Sequence, residues 1–155
     1  MTESLHIVTQ IRHAFKQALV DALGAEHVHN VSRVTRKFSK DNYPLAILLV
    51  TDDKTDTSED GIDTYNITVT IRISERTIFD DTEDRIDAMR LQIERALMTP
   101  KQMGFGKFSN YKLGSLTTPD LEPEPDGDAI LMSAFIPITF TLSTMPYDPT
   151  SNLNP

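Results

Sequence analysis

The sequence has no cysteine. That excludes a disulfide framework and every thiolate-ligated metal site, and it fits a reducing compartment. Long apolar runs are also missing. The longest, Leu45 to Val50, is far short of the roughly 20 residues that a membrane-spanning helix needs. The start, MTESLHIVTQ, lacks the basic stretch and apolar run of a secretory signal, so none is expected. Glycine-rich phosphate loops are absent as well: Gly104 and Gly106 make a lone G-x-G outside any strand-to-helix context. No G-x-S-x-G elbow occurs, and no internal repeat is visible.

What is present is an ordinary globular profile. The 155 residues suit one domain, expected over 1–145, followed by a Pro- and Asn-rich tail over 146–155. The formal net charge is −8, which argues against wrapping nucleic acid, since phosphate contacts need clustered Lys and Arg. The acidity is concentrated. Asp52, Asp53, Asp56, Glu59, Asp60 and Asp63, set against Lys54, give one stretch a charge of −5. Asp120, Glu122, Glu124, Asp126 and Asp128 give a second stretch another −5, so the rest of the chain is close to neutral.

The periodicities predict the elements. Val8, Ile11, Phe15, Ala18, Leu19 and Ala22 form one apolar stripe over a helix from Ser4 to Leu23, which Gly24 ends. Val31 to Phe38 reads as a strand with a basic face. Leu45 to Val50, set off by Tyr43-Pro44, reads as a buried strand. Asp52 to Asp63 reads as a loop. Thr64 to Ile73 alternates without a fault and is the clearest strand.

Asp80 with Glu83 predicts a capping box for a second helix, whose inner stripe is Ile86, Met89, Ile93, Ala96 and Leu97 and which Pro100 stops. A strand over Tyr111 to Leu116, the second acidic loop and a long strand over Ala129 to Leu142 follow. Pro137 implies an edge or a bulge in that last strand. The tail, PYDPTSNLNP, is expected to be disordered or held by a partner. The expected fold is α+β: an antiparallel (mixed) sheet of four to five strands with two amphipathic helices on one face.

Candidate chemistry is sparse. His6 and His13 lie about 10 Å apart along one helix and cannot share a metal unaided. His27 and His29 could chelate from a loop, but only Glu26 stands near them. Asp56, Ser58, Asp60 and Gly61 match the opening of a calcium loop, but the twelfth position, where a bidentate Glu belongs, is Ile67. Asn30-Val31-Ser32 and Asn66-Ile67-Thr68 match glycosylation sequons that mean little without a signal peptide. No catalytic residue, metal or cofactor is expected. Arg33, Arg36, Lys37 and Lys40 form a basic cluster with two readings: a solvated strand face, or a contact with an acidic neighbour such as a sister subunit.

The layout as a whole resembles the tail terminator proteins of long-tailed phages, the group that includes minor tail protein U. The resemblance lies in the order of QIRHAFKQALVDAL, YPLAILLV, an acidic loop, TYNITVTIRI, DRIDAMRLQIERAL and IPITFTLST, from Leu5 to Thr144. It implies a virion protein assembled in the host cytoplasm as a hexameric ring. Such a ring caps the tail tube, contacts the major tail tube protein and the head–tail connector protein, and lets DNA pass without binding it specifically.

A ring needs heterologous contacts that close, and an acidic wall would repel phosphate. The Asp52 to Asp63 stretch is therefore expected to line the channel or its mouth. Rival readings are a head–tail connector, tail-completion or minor tail protein and, from another class, a small cytoplasmic enzyme or ligand-binding module. The last of these lacks a convergent polar constellation.

Overall fold

The structure, a computed structural model, describes residues 5–30, 38–55, 62–77, 80–98, 108–124, 129–144 and 149–150. The elements in chain order are α1 (Ile7–Leu23), β1 (Val28–Asn30), β2 (Leu45–Thr55), β3 (Asp63–Arg76), α2 (Thr82–Leu97), β4 (Ser109–Leu113), β5 (Asp120–Pro123) and β6 (Ile130–Thr144). The class is α+β. One six-stranded mixed sheet runs β1-β2-β3-β6-β4, with β5 also on β6. The sheet therefore has more strands than the four to five expected. The extra one is β5, inside the second acidic stretch, where Asp120–Pro123 pairs antiparallel with Ile130–Ser133.

Alternation builds one apolar face. Ala46, Leu48 and Val50 of β2, Tyr65 to Ile73 of β3 at every second residue, and Ile136, Ile138, Phe140 and Leu142 of β6 all turn to the same side. Ile7, Ile11, Phe15 and Leu19 of α1 and Ile86, Met89, Ile93 and Leu97 of α2 close over that side. Phe140 lies at the centre, its ring stacked on Phe15 at 5.9 Å, Phe108 at 4.1 Å and Tyr111 at 5.8 Å between centroids. The Tyr111 hydroxyl donates to the Leu97 carbonyl at 2.6 Å, which ties β4 to the end of α2.

Several boundaries differ from the sequence reading for identifiable reasons. Helix α1 begins at Ile7 because His6 is its N-cap: the Val8 N–H donates to His6 Nδ1 at 3.1 Å. The Ile7 N–H donates to the Pro149 carbonyl at 2.7 Å, and Gln10 Nε2 donates to the Thr150 carbonyl at 2.7 Å. The chain's own residues 149 and 150 thus satisfy the helix start, in place of the disorder or outside partner expected of the tail. At the other end Gly24, with φ of 95°, donates its N–H to the Val20 carbonyl.

The capping box is not formed at α2. Asp81 rather than Asp80 holds the N-cap position, without a side-chain bond, and Thr82 Oγ1 instead donates to the Arg76 carbonyl.

The first strand is Val28–Asn30, parallel to Ala46–Leu48, and the expected strand from Val31 lies outside the described residues up to Lys37. Phe38 joins Tyr43, Leu45, Ile47 and Leu131 in a second, smaller apolar cluster on the opposite side of the sheet. The Tyr43–Pro44 peptide is cis.

β6 is not a sheet edge, since β3 flanks it on one side and β4 and β5 share the other. Pro137 is accommodated at the break between those two short strands. There its carbonyl accepts the Gly114 N–H at 2.7 Å, and no ladder donor is required of Pro137 itself. Gly114 passes so close that a Cβ would stand 2.8 Å from the Pro137 oxygen. The bulge that proline implied lies in β4, where the register shifts between Ser109 and Lys112 and Asn110 adopts φ of 56°.

The core assignment makes one expectation quantitative. Phe140→Ala should destabilise the fold by about 3–5 kcal/mol, whereas a surface change such as Phe135→Ala should stay near 0.5 kcal/mol. Urea unfolding midpoints measure both, and equal losses would contradict this division of the sheet.

Candidate functional site

The face of the sheet turned away from the helices falls into two halves. One half is held by charge. Arg72 and Arg76 of β3 point to this side, as do Ser74 and Ser133. β5 presents Glu122 to Arg72, and the segment leaving β5 presents Glu124 to Arg76, whose Nη2 donates to Glu124 Oε1 at 2.8 Å. Ser133 Oγ donates to Glu122 Oε1 at 2.9 Å and lies 2.7 Å from Ser74 Oγ. The Arg76 guanidinium also sits over the Tyr43 ring, 4.9 Å from its centre. Two acids and two guanidiniums therefore fasten β5 across β6 onto β3.

Burial shapes the electrostatics of this clasp. Glu124 is only 4% exposed, so its carboxylate depends on Arg76 for compensation. The hydrogen bond to Glu124 holds the Arg76 pKa above its ordinary value. Arg72 is pushed down by its own burial. The Tyr43 hydroxyl is pushed up to about 12, first by burial and then by the negative charge of Glu124. A second buried acid, Glu75, lies on the helix side, where Arg85 Nε donates to its Oε2 at 3.1 Å and so anchors the first turns of α2.

The other half of this face carries one charged residue, Asp53, in its three rows. Its rows are Leu49–Thr70–Pro137, Thr51–Thr68–Thr139 and Asp53–Asn66–Thr141. Leu49 is 40% exposed, and Phe135, at the border with the clasp, is 37% exposed.

The sequence-predicted site residues separate accordingly. Asp52 and Asp53 are exposed, but they stand on β2 and not in a loop, because the β2–β3 ladder continues to Thr55 opposite Thr64. Asp63 is a buried strand residue whose carboxylate lies 3.1 Å from Lys54 Nζ, so it is no part of a solvated loop. Asp56, Glu59 and Asp60 lie outside the described residues. In the second stretch Asp120 is exposed on β5, Glu122 and Glu124 are committed to the clasp, and Asp126 and Asp128 lie outside the described residues. Arg33, Arg36 and Lys37 also lie outside them. Lys40 opens a short 3-10 turn, Lys40–Asn42.

The histidines do not converge. His6 caps α1 and His13 is exposed on that helix. His27 Nδ1 lies 2.9 Å from the Asn42 carbonyl, and His29 Nε2 lies 2.9 Å from the Glu26 carbonyl. Among the described residues no three His, Asp or Glu side chains are grouped to hold a metal ion.

Two shallow hollows lie on the surface of the described residues. One, of about 360 Å³, is lined by Thr77, Met132 and the acids at the start of α2. The other, of about 260 Å³, lies between Leu23, His27, Pro44 and the α2 residues Arg85 to Gln92. Neither brings an acid, a base and a nucleophile together. Local pattern carries no direct sign of the clasp. The only available signal was that Glu122 and Glu124 are two residues apart and so share a strand face.

No protein-family model and no curated protein matches the chain. Among solved structures it is similar to a chain in the virion of a native gene transfer agent particle, with a TM-score of 0.47 and 12% identity. That match covers 87% of this chain and 97% of the other.

The clasp predicts a specific energetic signature. Glu124→Ala leaves Arg76 without its buried partner and should cost about 3–5 kcal/mol, while replacing both by apolar residues of similar volume should recover most of the loss. A double-mutant cycle in urea checks this. Additive losses would show that the pair does not act as a unit.

Proposed function

We propose that this chain is a structural virion protein without catalytic activity, working as a ring that terminates the tail tube of a long-tailed phage. The observation that carries the reading is where the polar groups go. The acids Glu75, Glu122 and Glu124 form ion pairs with Arg85, Arg72 and Arg76, and Glu75 and Glu124 are buried there. Among the described residues, what is left available is backbone at the sheet borders and a face of Thr, Asn and Leu49. Such material suits contact with other protein chains rather than turnover of a small substrate.

Three further observations agree with the reading. The order of helices, acidic hairpin and closing strand resembles that of tail terminators. The exposed Asp52 and Asp53, in a stretch of net charge −5, would repel the phosphates of DNA passing a channel and keep it from sticking. No helix among the described residues is long and apolar enough to cross a membrane.

In this role the partners are sister copies, the tail tube protein below and the head–tail connector above. Assembly takes place in the host cytoplasm, and the finished ring resides in the virion tail.

The test is the mass in solution together with class averages of the purified chain, alone and with tail tubes. A six-fold ring that caps the tubes is the expected result. A twelve-fold ring would move the protein to the connector. A monomer at every concentration, with and without tubes, would refute the proposal.

A further inference from the structure

Among the described residues the sheet has two lateral borders, and they lie at the same level. On one side β1 covers β2 only from Ala46 to Leu48, and from Leu49 to Asp53 no strand lies beside β2 among the described residues. On the other side β4 is the last strand among the described residues. The registers carry one border onto the other. Thr51 stands opposite Thr68, Thr68 opposite Thr139, and Thr139 opposite Lys112. One row further, Asp53 leads through Asn66 and Thr141 to Ser109.

Direction and charge match as well. β2 is antiparallel to β3, β3 to β6 and β6 to β4, so β2 and β4 run in opposite senses. A copy rotated about an axis along the strands would present its β2 to the β4 of its neighbour as an antiparallel partner, the commoner and slightly stronger kind of pairing. The β2 border exposes Asp52 and Asp53. β4, Ser109–Leu113, carries Lys112 and no acid. Asp53 and Lys112 lie on the same face and, across such a joint, within diagonal reach of one another.

A joint between these two different borders is heterologous, the geometry that generates rings. The bulge at Asn110 limits pairing to a short stretch of β4, a device that guards a border against indiscriminate stacking.

We infer that β2 of one copy joins β4 of the next, so that a single antiparallel sheet continues from subunit to subunit. This rests on the ring proposed above and names the joint that closes it.

The absence of cysteine makes the joint directly testable in the full chain. Thr51→Cys and Lys112→Cys chains are mixed, allowed to assemble and oxidised mildly with copper phenanthroline. Covalent dimers should form at least tenfold more in this mixture than with either variant alone or with the helix-surface control His13→Cys. A chain carrying both substitutions should give a ladder that ends at the subunit number of the ring. Because cysteines could themselves disturb assembly, a charge swap serves as the second measurement. Asp53→Lys and Lys112→Glu should each raise the concentration for half-assembly about tenfold, and together in one chain should restore it.

A ring of the expected mass that gives neither the cross-link nor the restoration would overturn the β2–β4 joint and leave the ring standing. A monomer under all conditions would overturn the ring itself.

Discussion

The antiparallel pairing of β3 with β6 is the constraint on which the rest of the molecule depends. It runs unbroken from Asp63 opposite Thr144 to Arg76 opposite Leu131. Side chains alternate along both strands, so this one ladder fixes which residues form the dry face under the helices and which form the outer face. A slip of β3 by one residue would turn Ile71 to the outer face and Arg72 toward the helices. The registers of β2, β4 and β5 are all counted from these two strands, and so is the alignment of the two borders of the described sheet.

The outer face shows how a polar surface can be structural. Arg72 and Arg76 on alternating positions would ordinarily be solvated, yet here they reach the acids of β5 and draw a short strand over the end of the sheet. Burying those charges carries a desolvation cost that the pairing offsets only in part. What the arrangement secures is position. β5 has four residues of backbone pairing, and without the two ion pairs it would have little else to hold it on β6. Half of the outer face is thereby closed, and the open half is confined to the Thr-rich rows beside Leu49.

Where hydrophobic periodicity alone decided the outcome, the sequence was easy to read. The stripes of α1 and α2, the alternation of Thr64 to Ile73 and the inward set of β6 all reappear as one core. What escaped was set by contacts between distant residues. Asp63 reads in sequence as one more loop acid, but it is a buried strand residue paired with Lys54 across the two strands. The run from Pro119 looked too polar and proline-rich for a strand, but the complementary charges of Arg72 and Arg76 make one of it. The parallel pairing of β1 and the capping of α1 by Pro149 join segments far apart in the chain, and local pattern cannot report them. Pro137 was informative in sequence but ambiguous. Its placement depended on where the neighbouring strand would break, at Gly114.

The central claim is that the backbone left over at the borders of this sheet is satisfied by sister copies. Amide hydrogen exchange of the unmodified chain, followed from dilute protein to the assembled state, tests it most directly. The account predicts that amides of Leu49 to Asp53 and of Ser109 to Leu113 become slow on assembly, while those of α1 and α2 keep the rates they have in the free chain. Slowing confined to the helices, with both borders exchanging as before, would contradict it.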